Sequence, residues 1–131
     1  MLKVSSPLSD EAERVIHDTI GCCITVHRAL GPGLFERVYA SALCLELTAA
    51  GIAYDREKTY PVTYRGEVIS EQRVDIVVGG IIVLELKSVE QLSPLHHKQI
   101  LSYMRVAHLR AGLLVNFNVA MLPDGLRRKV L

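Results

Sequence analysis

The sequence predicts a mixed α/β (α+β) domain with the element order α-α-β-β-β-α-β, in which helices flank a mixed four-stranded sheet. Three observations predict it. Apolar residues recur with a helical period through the first 50 positions, the period shortens to that of strands between Thr59 and Lys87, and one more helical segment separates Lys87 from an apolar run starting at Ala111.

Ser9 and Asp10 are suitable N-caps before Glu11, Ala12 and Glu13, and Ile16, Ile20, Cys23, Ile24, His27 and Leu30 then mark one helical face. Gly31-Pro32-Gly33 ends this helix, because glycine suits the C-terminal cap and proline cannot continue the hydrogen-bond ladder. A second helix is expected from about Leu34 to Ala50, stopping at Gly51. Thr59 to Tyr64 is rich in β-formers, Pro61 suits an edge strand, and Arg65-Gly66-Glu67 reads as a turn. Arg73 to Val78 and Ile81 to Lys87 flank Gly79-Gly80, a hairpin signal. Ser93-Pro94 supplies N-cap and first residue of a helix reaching about Ala107, and Ala111 to Phe117 reads as a buried strand. That crossover makes the last strand parallel to an earlier one. Asp124-Gly125 then turns the chain into a short basic tail, Arg127-Arg128-Lys129.

A length of 131 residues suits a single domain over residues 1–131, and with half the residues hydrophobic and 22% charged the chain can fold on one core. No apolar run approaches the roughly 20 residues a bilayer requires, and Met1-Leu2-Lys3-Val4 lacks the apolar core of a signal peptide. The expectation is a soluble cytoplasmic protein without membrane contact. Cys22, Cys23 and Cys44 lie among apolar residues without metal-site spacing and read as reduced core positions. Fifteen basic against fourteen acidic residues leave a net charge of +1, so the bulk signature of a strong nucleic-acid binder is missing. Contact with DNA would fall to local groups such as Arg127, Arg128 and Lys129, with Arg105 and Arg110, for which a solvated surface is an equal reading.

Charges stand where a core is expected. The strand Ile81-Ile82-Val83-Leu84-Glu85-Leu86-Lys87 is apolar enough to be covered on both faces, yet Glu85 and Lys87, two apart, point to one side. Alone they would read as a salt bridge. Asp75, however, interrupts Val74, Ile76, Val77 and Val78 in the same manner, and two facing carboxylates repel more than one lysine neutralises. Register decides whether they face one another. A strict two-residue loop at Gly79-Gly80 sends Asp75 and Glu85 to opposite faces, whereas a three-residue loop, Gly79-Gly80-Ile81, pairs Val78 with Ile82 and Asp75 with Glu85, with Cβ atoms about 5 Å apart. Hard oxygen ligands so spaced suit Mg²⁺ or Mn²⁺. Glu36 heads a helical stripe with Tyr39, Leu43 and Leu47, where it either enters a site or interacts with its own helix N-terminus. His96, Gln99 and Tyr103 align on one face of the later helix.

These blocks together resemble a known family. Gly33-Leu34-Phe35-Glu36-Arg37-Val38-Tyr39 carries the signature of the GxxExxY proteins, a group of small bacterial and archaeal proteins within the PD-(D/E)XK nuclease superfamily, and the similarity extends from about Ile16 to Val130. Arg73-Val74-Asp75, Val83-Leu84-Glu85-Leu86-Lys87, Pro94 to Gln99 and Gly112 to Phe117 match that family's successive blocks, with Val74 in place of the proline of the superfamily's name. The resemblance implies a PD-(D/E)XK core, Asp75 and Glu85 as metal ligands, Lys87 acting on the attacking water, and Glu36 and Gln99 supporting metal or water. It further implies a Mg²⁺-dependent (or Mn²⁺-dependent) nuclease acting on DNA, alone, as a homodimer or with a partner protein. The alternative is a catalytically inactive nucleic-acid-binding or protein-interaction module on the same scaffold.

Overall fold

The computed structural model describes residues 6–131. Helix α1 spans Asp10–Leu30 and α2 Glu36–Ala49; strands β1 (Tyr54–Tyr64), β2 (Glu67–Val78) and β3 (Ile82–Lys87) follow, then α3 (Pro94–Ala107), β4 (Ala111–Asn116), a short 3₁₀ turn at Leu122–Gly125, and β5 (Leu126–Val130). The strands form one sheet in the order β1-β2-β3-β4-β5, antiparallel except between β3 and β4, which the α3 crossover makes parallel.

Local chemistry sets the element ends. The Ser9 side chain accepts from the Ala12 amide, the Gly31 amide closes α1 on the His27 carbonyl, and Ser93 with His96 forms a reciprocal cap on α3. The sheet is covered on both faces. One core layer joins α1 and α2 to Ile76, Val78, Ile82, Leu84, Leu86, Leu113 and Val115; the other joins Ile100, Met104 and Ala107 of α3 to Val74, Val77, Val83 and Leu114. The three cysteines are free and buried, as their apolar surroundings predict.

Two expectations need correction. The sheet has five strands rather than four, because Arg127-Arg128-Lys129 is not a tail but the middle of β5, with Arg128 opposite Leu113. Strand β4 is buried along its whole length, and without β5 its outer backbone groups would lack partners. The hairpin of β1 and β2 is also longer than the apolar pattern suggests: β2 begins at Glu67, and only Ile76, Val77 and Val78 pair with β3. The remainder is a two-stranded ribbon turned by Arg65 and Gly66, both at positive φ.

Candidate active site

The β2–β3 loop is the three-residue one. Gly79 and Gly80 take φ of 62° and 65°, the Ile81 amide returns to the Val78 carbonyl, and Val78 pairs with Ile82, Val77 with Val83 and Ile76 with Leu84. One step further the backbone ladder stops and side chains replace it. The Asp75 amide donates to Glu85 Oε1 at 3.0 Å, and the Leu86 amide donates to Asp75 Oδ2 at 2.9 Å. Each carboxylate therefore satisfies a backbone N–H of the opposite strand, which fixes both side chains at the point where β2 and β3 part. Val74 lies in the α3-side core and Ile76 in the other, although a regular strand would give them one face, so β2 turns over at Asp75.

Glu85 is only 5% exposed, and burial, then the adjacent Asp75 carboxylate, push its carboxyl up to about 8. Lys87 pulls in the other direction without cancelling this. It is half-buried, and among the described residues it forms no ion pair within 4.0 Å, so the simple Glu85–Lys87 salt bridge is absent. Tyr103 of α3 senses both carboxylates, which add to the burial that raises its phenol. The sequence offered it only as one of three aligned polar residues. Gln99, one turn earlier, is half-buried and makes no hydrogen bond to Asp75, Glu85 or Lys87 among the described residues.

Glu36 is exposed at the first turn of α2 and shares with Asp75, Arg56, Arg73 and Leu86 a hollow of about 180 Å³. Tyr39 explains the local motif. Its hydroxyl donates to the Gly31 carbonyl at 2.6 Å and accepts from the Leu34 amide at 3.1 Å, while its ring stacks on Phe117 at 4.4 Å. The buried tyrosine thus moulds the loop that delivers Glu36, and Gly33 in that loop needs φ of 98°. Opposite, the buried Asn116 side chain holds the segment leaving β3: it accepts from the Val89 and Asn118 amides and donates to the Val89 carbonyl.

The basic triplet does not act as one group. Arg128 pairs with Glu13 of α1, Lys129 reaches His97 Nδ1 of α3 at 2.6 Å, and Arg127 hydrogen-bonds the Asp124 and Leu126 carbonyls. Successive strand residues point to opposite faces, so the triplet is divided between them. Arg110 is likewise held by the Leu131 carbonyl.

A comparison with protein-family models matches residues 13–129 to the PD-(D/E)XK nuclease superfamily, which spans nearly the whole chain and all the elements that build this site. The chain belongs to that superfamily. Its mixed sheet between helices, with an acidic residue on β2 and Glu85 and Lys87 on β3, agrees with a PD-(D/E)XK fold and points to nuclease-like function. No curated protein and no solved structure gives a match. No helix among the described residues is long and apolar enough to cross a membrane.

Members of the PD-(D/E)XK superfamily typically use divalent metals. The donor set here fits a hard ion. Two carboxylates converge without a thiolate or imidazole, and among the described residues no cluster of three or more His, Cys, Asp or Glu exists. Magnesium and manganese accept one or two carboxylates and retain waters in the remaining positions, whereas a structural zinc site would need four protein ligands.

Proposed function

We propose that this protein is a Mg²⁺- or Mn²⁺-dependent phosphodiesterase that hydrolyses DNA, akin to the GxxExxY proteins. The observation that carries this reading is the break in the β2–β3 ladder, where two carboxylates in hydrogen-bonding reach of one another replace the backbone pairing. A backbone ladder would join the strands without setting one carboxylate against another, which burial and the neighbouring Asp75 oppose at Glu85. Asp75 and Glu85 would hold the ion, which when bound supplies Lewis-acid stabilisation of the charge that develops on the phosphate.

The protein's own groups account for the rest. The Asp75 and Leu86 amides keep the two carboxylates from turning away. Lys87, which forms no ion pair among the described residues, has an ammonium available to hold the attacking water or a non-bridging phosphate oxygen. Glu36 borders the Asp75 hollow and can orient a water there, and Tyr103 of α3 is near enough to feel the charge of both carboxylates. Water adds to phosphorus as the opposite P–O bond breaks; the proton that the water gives up passes to solvent, and the departing oxygen takes one from a solvent water.

Supercoiled plasmid incubated with Mg²⁺, with Mn²⁺ and with EDTA tests the proposal. Nicking should require the metal, and Lys87→Ala should slow it by about 100-fold or more. Among the described residues no third acidic or histidine side chain joins Asp75 and Glu85 in a cluster, which favours the second reading, a DNA-binding module without turnover. Plasmid binding without cleavage under every metal condition would establish that reading instead.

A further inference from the structure

Two phenylalanines occur in the chain, and they have opposite fates. Phe117 is fully buried against Tyr39, whereas Phe35 is 75% exposed, the most exposed of the large apolar side chains among the described residues. Phe35 also occupies the N-cap of α2, where Ser, Thr, Asp or Asn would each supply a hydrogen bond to the helix and phenylalanine supplies none. A local rule is broken twice at one position, which is the pattern expected of a residue kept for function.

Its surroundings indicate what it meets. Phe35 lines a hollow of about 360 Å³ with Glu36, Arg37 and Ser88, and Glu36 and Arg37 also border the adjoining hollow that contains Asp75, Glu57, Arg56 and Arg73. In that second hollow exposed Arg73 lies 4.0 Å from Glu57, and Arg56 donates to Ser41 and the Arg37 carbonyl. The Arg37 guanidinium lies 5.6 Å from the ring centroid, and the ring stays exposed with it in place. The backbone beneath is fixed from both sides: the Leu34 amide donates to Tyr39, and the Leu34 carbonyl accepts from Ser88, the residue after Lys87. An aromatic face beside Arg37, on a backbone held at Leu34, is therefore tied to the end of the strand that carries Glu85 and Lys87.

We infer that Phe35 is a stacking platform for an unpaired nucleobase of single-stranded DNA, with Arg37, Arg56 and Arg73 along the path of its phosphates. Within a duplex the base faces are already stacked, and a ring projecting from a helix terminus has nothing to engage; an unpaired strand offers both a π-face and phosphates. The inference deepens the DNA-hydrolysing reading by naming its substrate class, and it rests on that reading only for the identity of the polymer.

Binding of a fluorescein-labelled single strand, its duplex and an abasic strand of equal length, measured by polarisation in EDTA, tests the platform. The single strand should bind more tightly than the duplex. Phe35→Ser, which restores a helix cap and so keeps or raises the melting temperature, should weaken single-strand binding by roughly 5- to 100-fold, as should the abasic strand, while Phe35→Trp retains affinity. Equal binding by Phe35→Ser and parent, equal binding of abasic and normal strands, or preference for the duplex would overturn the inference. The assay involves no turnover, so a protein that shows this pattern but cuts neither plasmid nor the labelled single strand when Mg²⁺ or Mn²⁺ is added loses only the hydrolytic reading. One that cuts plasmid without the pattern loses only the platform.

Discussion

At the scale of single residues the central fact is the confrontation of Asp75 and Glu85. Glu85 has a carboxyl raised from 4.5 to about 8, so in the metal-free protein it holds a proton that the unfolded chain has lost. The sign of the linkage follows. Below about pH 4.5 the group is protonated in both states and costs nothing; as pH rises to about 8 the unfolded state ionises first, and stability falls by something on the order of a few kcal/mol. Asp75→Asn removes the like charge. Its amide oxygen can still accept from the Leu86 amide, and its NH₂ can donate to the Glu85 carboxylate. This variant should therefore be more stable than the parent by about 1–2 kcal/mol at pH 8, with a shallower loss between pH 5 and 8. Urea denaturation at a series of pH values measures both, and a variant less stable than the parent at pH 8 would mean that the Asp75 charge is structural. The sequence made this pair legible because charges inside an apolar strand are conspicuous. It left the register open, since Gly79-Gly80 serves a two- or a three-residue loop, and only the observed pairing of Val78 with Ile82 decides.

At the scale of elements, helices and strands with a strong apolar period were readable to within a few residues, and the departures share one cause: periodicity reports burial, and some strands are not buried. The ribbon half of β2 is exposed along Glu67 to Glu71, so it has no apolar alternation to announce it. Strand β5 pairs on one side only and carries three consecutive basic residues that masked its extended backbone. Contacts between elements were illegible for a related reason, since close approach depends on shape. Gly112 of β4 lies beneath α3, where an added Cβ would stand 2.6 Å from Met104 Sδ; at Gly125 it would stand 2.1 Å from the Asn116 carbonyl oxygen. A methionine thioether can move, whereas a backbone carbonyl at the end of a buried strand cannot. Gly112→Ala should accordingly cost about 1–3 kcal/mol, and Gly125→Ala should cost more and loosen the Asn116 clasp on Val89. Calorimetric melts of the two variants check the ranking, and a milder effect at Gly125 would contradict it.

At the scale of the whole molecule, the two core layers place the site rather than stabilise it. Strands β2 and β3 are pinned between α1 and α2 on one face and α3 on the other, and the carboxylates occupy the place where those strands separate. An ion held there would bind the folded state alone, so it should add stability as RT ln(1 + [M]/Kd), about 3 kcal/mol at one hundred times Kd and roughly 10 °C in melting temperature for a domain of this length. Three proteins then separate ligand, catalyst and scaffold. The parent should gain melting temperature steadily with Mg²⁺. Lys87→Ala, which keeps both carboxylates, should gain as much while losing plasmid nicking. Asp75→Asn should start at or above the parent without metal and gain little, because one hard anionic ligand is gone. If the parent's melting temperature is flat across the magnesium and manganese series while all three proteins retain their fold by circular dichroism, Asp75 and Glu85 hold no ion, and their hydrogen bonds across the open ladder serve only to join β2 to β3.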